Sequence, residues 1–355
     1  MNKYNIIEFT NQEEYKKEFL DLPKRLYKKK EIMQNEDEER QILEEKHILS
    51  SYFEIHRFLT LDTNNKAVAR AIVTFYKNDD SAYIGFFECV EDYELSKLFL
   101  KKIEDFIKRN GYKNIIGPLN CSFWIGYRFK VDNFGKPYFG EPYNKSYYPK
   151  MFEESGYKAF ENYTSNIYNK VSKSQQNIKF SSRLKKMEKM GYEFIEPTID
   201  TFDVQLRHIC RMILNIYSKF PAYKPINEED FFEMYRDLKK IVDCSMIKLA
   251  YYKGEMVGFF VAIPNYSNYI NSKKYLRVII SKILKKEYIL MYLGVEKEHL
   301  GLGRALAESM KEQLKSNRAT SIGALIKSGN ANKVYFKELI AKEYHYVLYN
   351  KSLEI

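Results

Sequence analysis

The residues in this sequence best suited to binding an anion are two glycines, Gly301 and Gly303, at the start of a helical pattern. The segment 288–310 reads YILMYLGVEKEHLGLGRALAESM: an apolar strand, a polar turn and then a helix. The first main-chain N–H groups of a helix lack partners, and the helix dipole adds partial positive charge there. Glycine removes the Cβ atoms that would keep a phosphate from those amides. The amides of residues 299–305 are therefore predicted to hold a diphosphate.

The predicted anion site includes the end of the preceding strand. Gly294 lies inside that strand, where a glycine is typical of a bulge or of a close backbone approach. A bulge at this position would open the sheet and free strand amides for a ligand. The predicted cofactor-binding residues are Leu293, Gly294, Val295, His299, Leu300, Gly301, Leu302, Gly303, Arg304 and Ala305.

The segment Glu298-His299-Leu300-Gly301-Leu302-Gly303 resembles the acyl-CoA loop of the GNAT superfamily of N-acetyltransferases. That pattern is Gln or Arg, two residues, Gly, one residue, and Gly or Ala, so Glu298 departs from it at the first position. A Rossmann dinucleotide loop fits less well because the third glycine is missing. Other stretches are similar to a bacterial tandem-GNAT group, the YghO-like proteins: 117–120 (GPLN), 142–149, 231–264 and 341–346.

The resemblance implies direct transfer of an acyl group from acetyl-CoA, or another acyl-CoA, to an amine of a small-molecule or amino-acid-like acceptor, without a metal. The amide of Leu293 or Gly294 would bond the thioester oxygen. Tyr335 is the nearest match to the family's tyrosine acid, with Phe336 an equal contender for that position. Glu298 is a candidate base. Asn330 and Asn332 would contact CoA, or would instead cap the next helix.

Both halves of the chain repeat one pattern of strand, helix, strand, helix and strand. An offset of about 206 residues places Cys89 on Val295 and Gly117 on Gly323, and both closing strands contain Tyr-Asn-Lys. The fold class predicted is α/β (α+β), with two fused GNAT-type domains at residues 1–170 and 171–355. Each is expected to be a mixed, mostly antiparallel sheet flanked by helices.

The first copy lacks the glycine loop. Under the same offset, Leu95 and Lys97 replace the two glycines, so this half is not expected to bind CoA in that way. Its irregular stretch 118–148 is predicted instead to shape an acceptor pocket between the domains. The alternative is a packed aromatic loop. The candidate acceptor-binding residues are Asn120, Trp124, Tyr127, Tyr143, Asn144 and Tyr148.

The composition of the chain limits the classes of function and of partner that remain. The 355 residues suit two domains, and the formal net charge of +11 suits a Lys-rich surface or an anionic partner without identifying one. The four cysteines form no CxxC pair, and no signal peptide or membrane-spanning run is recognisable. We therefore expect a cytoplasmic protein without a metal site, with nucleic acid an unlikely partner, and either a monomer or a homodimer.

Three functions remain open from the sequence. The first is an acyl-CoA-dependent N-acetyltransferase or N-acyltransferase. The second is a non-catalytic CoA-binding sensor or scaffold. The third is an aminoacyl-tRNA-dependent transferase similar to the Fem peptidyltransferases, which also fuse two GNAT folds but do not need a glycine loop for a diphosphate.

Overall fold

The structure, a computed structural model, describes residues 3–353 apart from 173–177, 221, 271–272, 275, 279, 281–285 and 329–334. The helices with described bounds are α1 (Glu13–Leu26), α2 (Glu36–Leu43), α3 (Tyr93–Arg109), α4 (Tyr148–Glu154), α5 (Ile178–Lys189), α6 (Phe202–Ile216), α7 (Glu228–Arg236) and α8 (Leu302–Ser316). The strands are β1 (Asn5–Phe9), β2 (Glu54–Leu61), β3 (Ala67–Phe75), β4 (Ser81–Cys89), β5 (Asn114–Gly117), β6 (Phe129–Lys130), β7 (Lys158–Tyr168), β8 (Tyr192–Ile195), β9 (Ile247–Tyr252), β10 (Glu255–Pro264), β11 (Glu287–Val295), β12 (Thr320–Lys327) and β13 (Ile340–Ser352).

The chain divides into two compact units. Unit 1 comprises residues 1–162, 267–274 and 345–355, and unit 2 comprises residues 163–266 and 275–344. This division differs from the predicted domain boundary at residue 170. The reason is strand pairing: Tyr349 of β13 pairs with Gly117 in unit 1, whereas Tyr168 of β7 pairs with Ser321 in unit 2.

Unit 1 is a sheet with helices on both faces. Its strands run in the order β1-β2-β3-β4-β5-β13, antiparallel except for the parallel pair of β4 and β5. Phe99 of α3 and Phe152 of α4 pack with Val73 on one face. Phe19 of α1 packs with Ile72 on the other face. Because both faces are covered, β3 (AVARAIVTF) is apolar nearly throughout instead of alternating.

Unit 2 repeats this plan. Its strands run β7-β12-β11-β10-β9-β8, and the parallel pair is β11 with β12. Leu302, Leu306 and Met310 recur at helical spacing on α8 and pack in a buried cluster with Phe260 and Leu290 of the sheet. The mixed, mostly antiparallel sheets flanked by helices confirm the predicted fold class.

The repeat is visible in the strand register. Ser81 of β4 pairs with Asn114 of β5, and Glu287 of β11 pairs with Thr320 of β12. Both partners are displaced by the same offset (287 − 81 and 320 − 114 are each 206). The two parallel strand pairs are therefore equivalent positions of one pattern.

The sequence also predicts a helix near 331–341, after the strand at 321–326, and this prediction is wrong over the described part of that range. Residues 337–339 form a single 3₁₀ turn, and β13 begins at Ile340. The residues before Tyr335 in this segment lie outside the described chain. Among the described helices, none combines the length and the apolar character that crossing a membrane requires.

Candidate functional site

The start of α8 carries main-chain donors that the helix does not use. The amides of His299, Leu302, Arg304 and Ala305 bond to nearby main-chain oxygens. No acceptor in the described part of the chain takes the amides of Leu300, Gly301 and Gly303, and no side chain caps the helix. Four of the seven amides in the predicted set thus already have main-chain partners. Three donors at the positive end of a helix remain for an anion.

Gly301 is the N-cap residue of α8, and its φ is +88°. This left-handed backbone is readily adopted by glycine and is unfavourable for residues with a Cβ. The turn it makes allows the chain to leave β11 and enter α8 within a few residues. The glycine at 301 is thus required by the backbone, whatever ligand the loop binds.

The two parallel strands separate beside this helix end. Pairing of β11 with β12 runs from Glu287 to Leu290, while β11 itself continues to Val295. Leu293 and Val295 pack against the cluster that contains α8. The open part of β11 reaches the start of α8, because Cγ2 of Val295 would lie 3.7 Å from a Cβ at position 303.

The predicted bulge at Gly294 lies elsewhere. Gly294 pairs regularly with Phe259, and the irregularity falls at Met291, between the pairs Leu290↔Ala262 and Tyr292↔Val261. A Cβ at position 294 would lie 2.5 Å from the Phe259 ring and 2.7 Å from Ile216. Gly294 is therefore explained by a close approach of side chains.

Two long side chains lie over the glycines of the loop. A Cβ at position 301 would lie 2.0 Å from Nη1 of Arg183, a residue of α5. A Cβ at position 303 would lie 3.0 Å from the hydroxyl oxygen of Tyr335. Both atoms are the far ends of flexible side chains. The space left by the glycines thus brings together a guanidinium, a phenol and three free amides.

The Tyr335 hydroxyl carries its proton at neutral pH. Burial raises the pKa of its hydroxyl above the ordinary value of 10, with a smaller opposite effect from Arg304. The phenol is therefore protonated at neutral pH and can donate a proton.

His299 holds the loop through its ring. Its Nδ1 lies 2.7 Å from the Tyr192 hydroxyl, and the ring packs edge-on against Tyr192 and Tyr252. By contrast, Glu298 is exposed, and 86% of the Leu300 surface is accessible at the loop tip. Asn330 and Asn332 lie outside the described residues.

The equivalent position in unit 1 is closed. Asp92 caps α3 by accepting from the Leu95 amide at 3.0 Å. Asn120 accepts from the Phe86 amide at 2.7 Å, and the Tyr148 hydroxyl accepts from the Cys89 amide at 3.0 Å. The main-chain amides at the start of α3 and at the end of β4 are thus already bonded to side chains of unit 1.

The other candidate acceptor residues form a packed aromatic region of unit 1. Tyr127 stacks on Phe123, and the guanidinium of Arg128 lies 3.6 Å from the Tyr127 ring centroid. The Asn144 side chain bonds both main-chain groups of Lys130.

The two remaining candidates are packed in the same way. Trp124 packs edge-on against Phe123, and Tyr143 packs against Tyr27 and Phe134. This matches the packed-loop alternative, and an acceptor-binding role for these residues stays a prediction.

Sequence reasoning missed Arg183. Arg183 lies in an amphipathic helix that contains several lysines. Nothing in that local sequence indicates that the Arg183 side chain contacts a loop more than a hundred positions later in the chain. Only the packing of α5 beside α8 brings the side chain to Gly301.

The comparisons with known proteins concern the fold. No protein-family model matches the sequence, and no curated protein matches it. A tandem GNAT protein from the clavulanic acid biosynthesis pathway is similar over 98% of each chain, with a TM-score of 0.53 and 8% identity. A GCN5-related glucosamine N-acetyltransferase region of a fungal multi-domain GH3 β-N-acetylglucosaminidase is similar over 98% of this chain, with a TM-score of 0.57 and 12% identity.

At these identities the similarity establishes the fold alone. The chain spans 38% of the length of the fungal protein. The tandem GNAT fold expected from the resemblance is therefore confirmed, whereas membership of the YghO-like group stays a prediction.

Proposed function

We propose that the protein is an acyl-CoA-dependent N-acyltransferase that uses acetyl-CoA, or another acyl-CoA, and the amine of a small-molecule acceptor. The observation that carries this proposal is the group of free amides at Leu300, Gly301 and Gly303, beside a strand that has left its parallel neighbour. Within the described residues, unit 2 has this arrangement and unit 1 has its helix end capped by Asp92.

The residues of unit 2 fit the parts of acyl-CoA. The three amides and the dipole of α8 suit the diphosphate. The separated part of β11 suits an extended chain, and the amide of Leu293 or Gly294 is the proposed donor to the thioester oxygen. Acyl-CoA supplies an activated acyl group, so these residues need only to position it and to stabilise developing negative charge.

Tyr335 and Glu298 are the proposed proton-transfer groups. The attacking amine has to lose a proton, and the departing sulfur has to gain one or leave as an anion. Tyr335 is half-buried, and its hydroxyl is protonated at neutral pH and is therefore available to donate a proton. Glu298 is an exposed carboxylate in the turn between β11 and α8, where it can accept a proton through water.

Thermal unfolding with and without acetyl-CoA tests the binding step. A ligand at a hundred times its Kd adds roughly 2.7 kcal/mol to the free energy of unfolding. We expect acetyl-CoA to raise Tm for the parent protein and to leave Gly303→Glu unchanged, because a carboxylate there repels the diphosphate. Ser309→Glu, which adds the same charge further along α8, is the matched control. An unchanged Tm of the parent protein at millimolar acetyl-CoA contradicts the proposal.

Release of free thiol from acetyl-CoA with a panel of amines tests the transfer step. We expect at least one amine to accelerate thiol release above the rate of hydrolysis. Binding without thiol release for any amine would instead identify a non-catalytic CoA-binding protein.

A further inference from the structure

The guanidinium of Arg183 rests on the N-cap of α8. A Cβ at Gly301 would lie 2.0 Å from its Nη1 and 3.1 Å from its Cζ. The side chain therefore needs the absence of a Cβ at 301 to reach this place. Arg183 is half-buried and lies on α5, which packs along α8 within unit 2.

Arg183 has no counter-ion in the described part of the chain. No carboxylate there pairs with it, and no hydrogen-bond acceptor there takes its donors. Three arginines on the other helices of unit 2, α6 and α7, are paired: Arg207 with Glu229, Arg211 with Glu228, and Arg236 with Glu233. Arg183 thus differs from them in lacking an internal partner.

The position of this unpaired cation is electrostatically unfavourable. The N-terminus of α8 carries partial positive charge, and here it also has the unused amides of Leu300, Gly301 and Gly303. A guanidinium beside them repels that end of the helix. An anion between the guanidinium and the amides would convert this repulsion into attraction on both sides.

The loop itself brings no surplus of charge to an anion. Lys297 and Arg304 offset Glu296 and Glu298, and the His299 ring is bonded to Tyr192. Arg183 therefore adds a positive charge beside the free amides that the loop's own side chains do not supply.

We propose that Arg183 binds the diphosphate of acyl-CoA together with the amides of Leu300, Gly301 and Gly303. This inference rests on the proposed function and deepens it by assigning a charged ligand contact to a helix outside the glycine loop. The planar guanidinium suits two phosphate oxygens at once, which a lysine ammonium cannot match.

Titration of CoA by calorimetry into variants tests the contact. We expect Arg183→Gln to weaken CoA binding by about 10- to 100-fold, the range for a hydrogen bond to a charged group. Arg183→Lys should keep part of the affinity. Lys186→Gln, which removes an equal charge from an exposed position of the same helix, should change Kd by less than about threefold.

Truncated ligands identify the phosphate. The loss caused by Arg183→Gln should persist with 3′-dephospho-CoA, which keeps the diphosphate, and should vanish with pantetheine, which has no phosphate. Disappearance of the loss with 3′-dephospho-CoA, or equal CoA affinity of Arg183→Gln and the parent, overturns the inference while leaving the proposed function intact. A parent protein that binds no CoA overturns both.

Stability without CoA separates ligand binding from a structural role. Because the unpaired cation repels the end of α8, Arg183→Gln should leave Tm unchanged or raise it. A clear decrease in Tm, with pantetheine and CoA weakened equally, would identify Arg183 as a structural residue and would contradict the proposal.

Discussion

The hydroxyl of Tyr148 donates a 2.7 Å hydrogen bond to the carboxylate of Glu88 at the end of β4. The same carboxylate accepts from Tyr27 at 2.9 Å and lies 3.9 Å from Arg70. Under the 206-residue offset, Glu88 occupies the position of Gly294. Unit 1 thus has a buried polar cluster where unit 2 has a strand residue without a side chain, and the two copies of one fold differ in this way at the place proposed to bind acyl-CoA.

The Glu88 cluster predicts a pH dependence of stability. Burial raises the pKa of Glu88 from 4.5 to about 7, against opposing effects of Arg70, Tyr148 and Tyr27. Between those pH values the folded state binds a proton that the unfolded state releases. The stabilisation is therefore complete below pH 4.5 and is lost as pH rises through 7, by up to about 3 kcal/mol.

Glu88→Gln isolates this contribution. The glutamine amide does not titrate. From pH 5 to pH 8, the free energy of unfolding of the parent should therefore fall relative to that of the variant. Urea unfolding at several pH values measures that difference. A difference that stays constant over this range would show that Glu88 titrates normally.

Removal of the Tyr335 hydroxyl should slow transfer without affecting acyl-CoA binding. A general acid contributes about 100-fold or more to a rate, so Tyr335→Phe is expected to lower kcat by about 100-fold and to leave KM for acetyl-CoA nearly unchanged. Tyr251→Phe is the matched control, because its hydroxyl bonds Gln205 on a different part of unit 2. An unchanged kcat for Tyr335→Phe would remove this residue from the proposed chemistry.

The sequence predicted the elements of the fold because their signals are local. The strand and the helix predicted within the segment 288–310 correspond to β11 and α8, since an apolar strand and helical spacing can be recognised in a short window. By contrast, the pairing of β7 within unit 2 and of β13 within unit 1 could not be predicted in this way. It depends on pairing between distant segments, such as Tyr349 with Gly117.

The site was predictable only where backbone conformation dictates residue type. Gly301 follows from a turn that needs positive φ, so it could be recognised from the sequence. Gly294 was expected to mark a bulge or a close backbone approach, although close side-chain packing from Phe259 and Ile216 explains it. Arg183 gave no signal, since its role depends on which face of α5 packs beside α8.

A buried ion pair predicts the response of unit 1 to mutation. Lys130 and Glu141 are both inaccessible and lie 2.5 Å apart, and the Tyr346 hydroxyl donates to the same carboxylate. Lys130→Met leaves a buried carboxylate without its cation and should lower the free energy of unfolding by about 3–5 kcal/mol. The double variant Lys130→Met with Glu141→Gln should lose less. Chemical unfolding of the three proteins checks this, and a double variant at least as unstable as the single one would contradict it.

Gly301→Ala should act on CoA binding through Arg183. The alanine Cβ would lie 2.0 Å from the Arg183 guanidinium and would force it away, and the φ of +88° would also destabilise α8 by about 1–2 kcal/mol. If displacement of Arg183 causes most of the loss in CoA affinity, the losses from Gly301→Ala and Arg183→Gln will not add in the double variant. Gly254→Ala is the control for strain, since Gly254 has a φ of +84° and no atom within 4 Å of the added Cβ. It should lower stability and leave Kd for CoA unchanged. Fully additive losses at 301 and 183 would mean that the two residues act on the ligand independently.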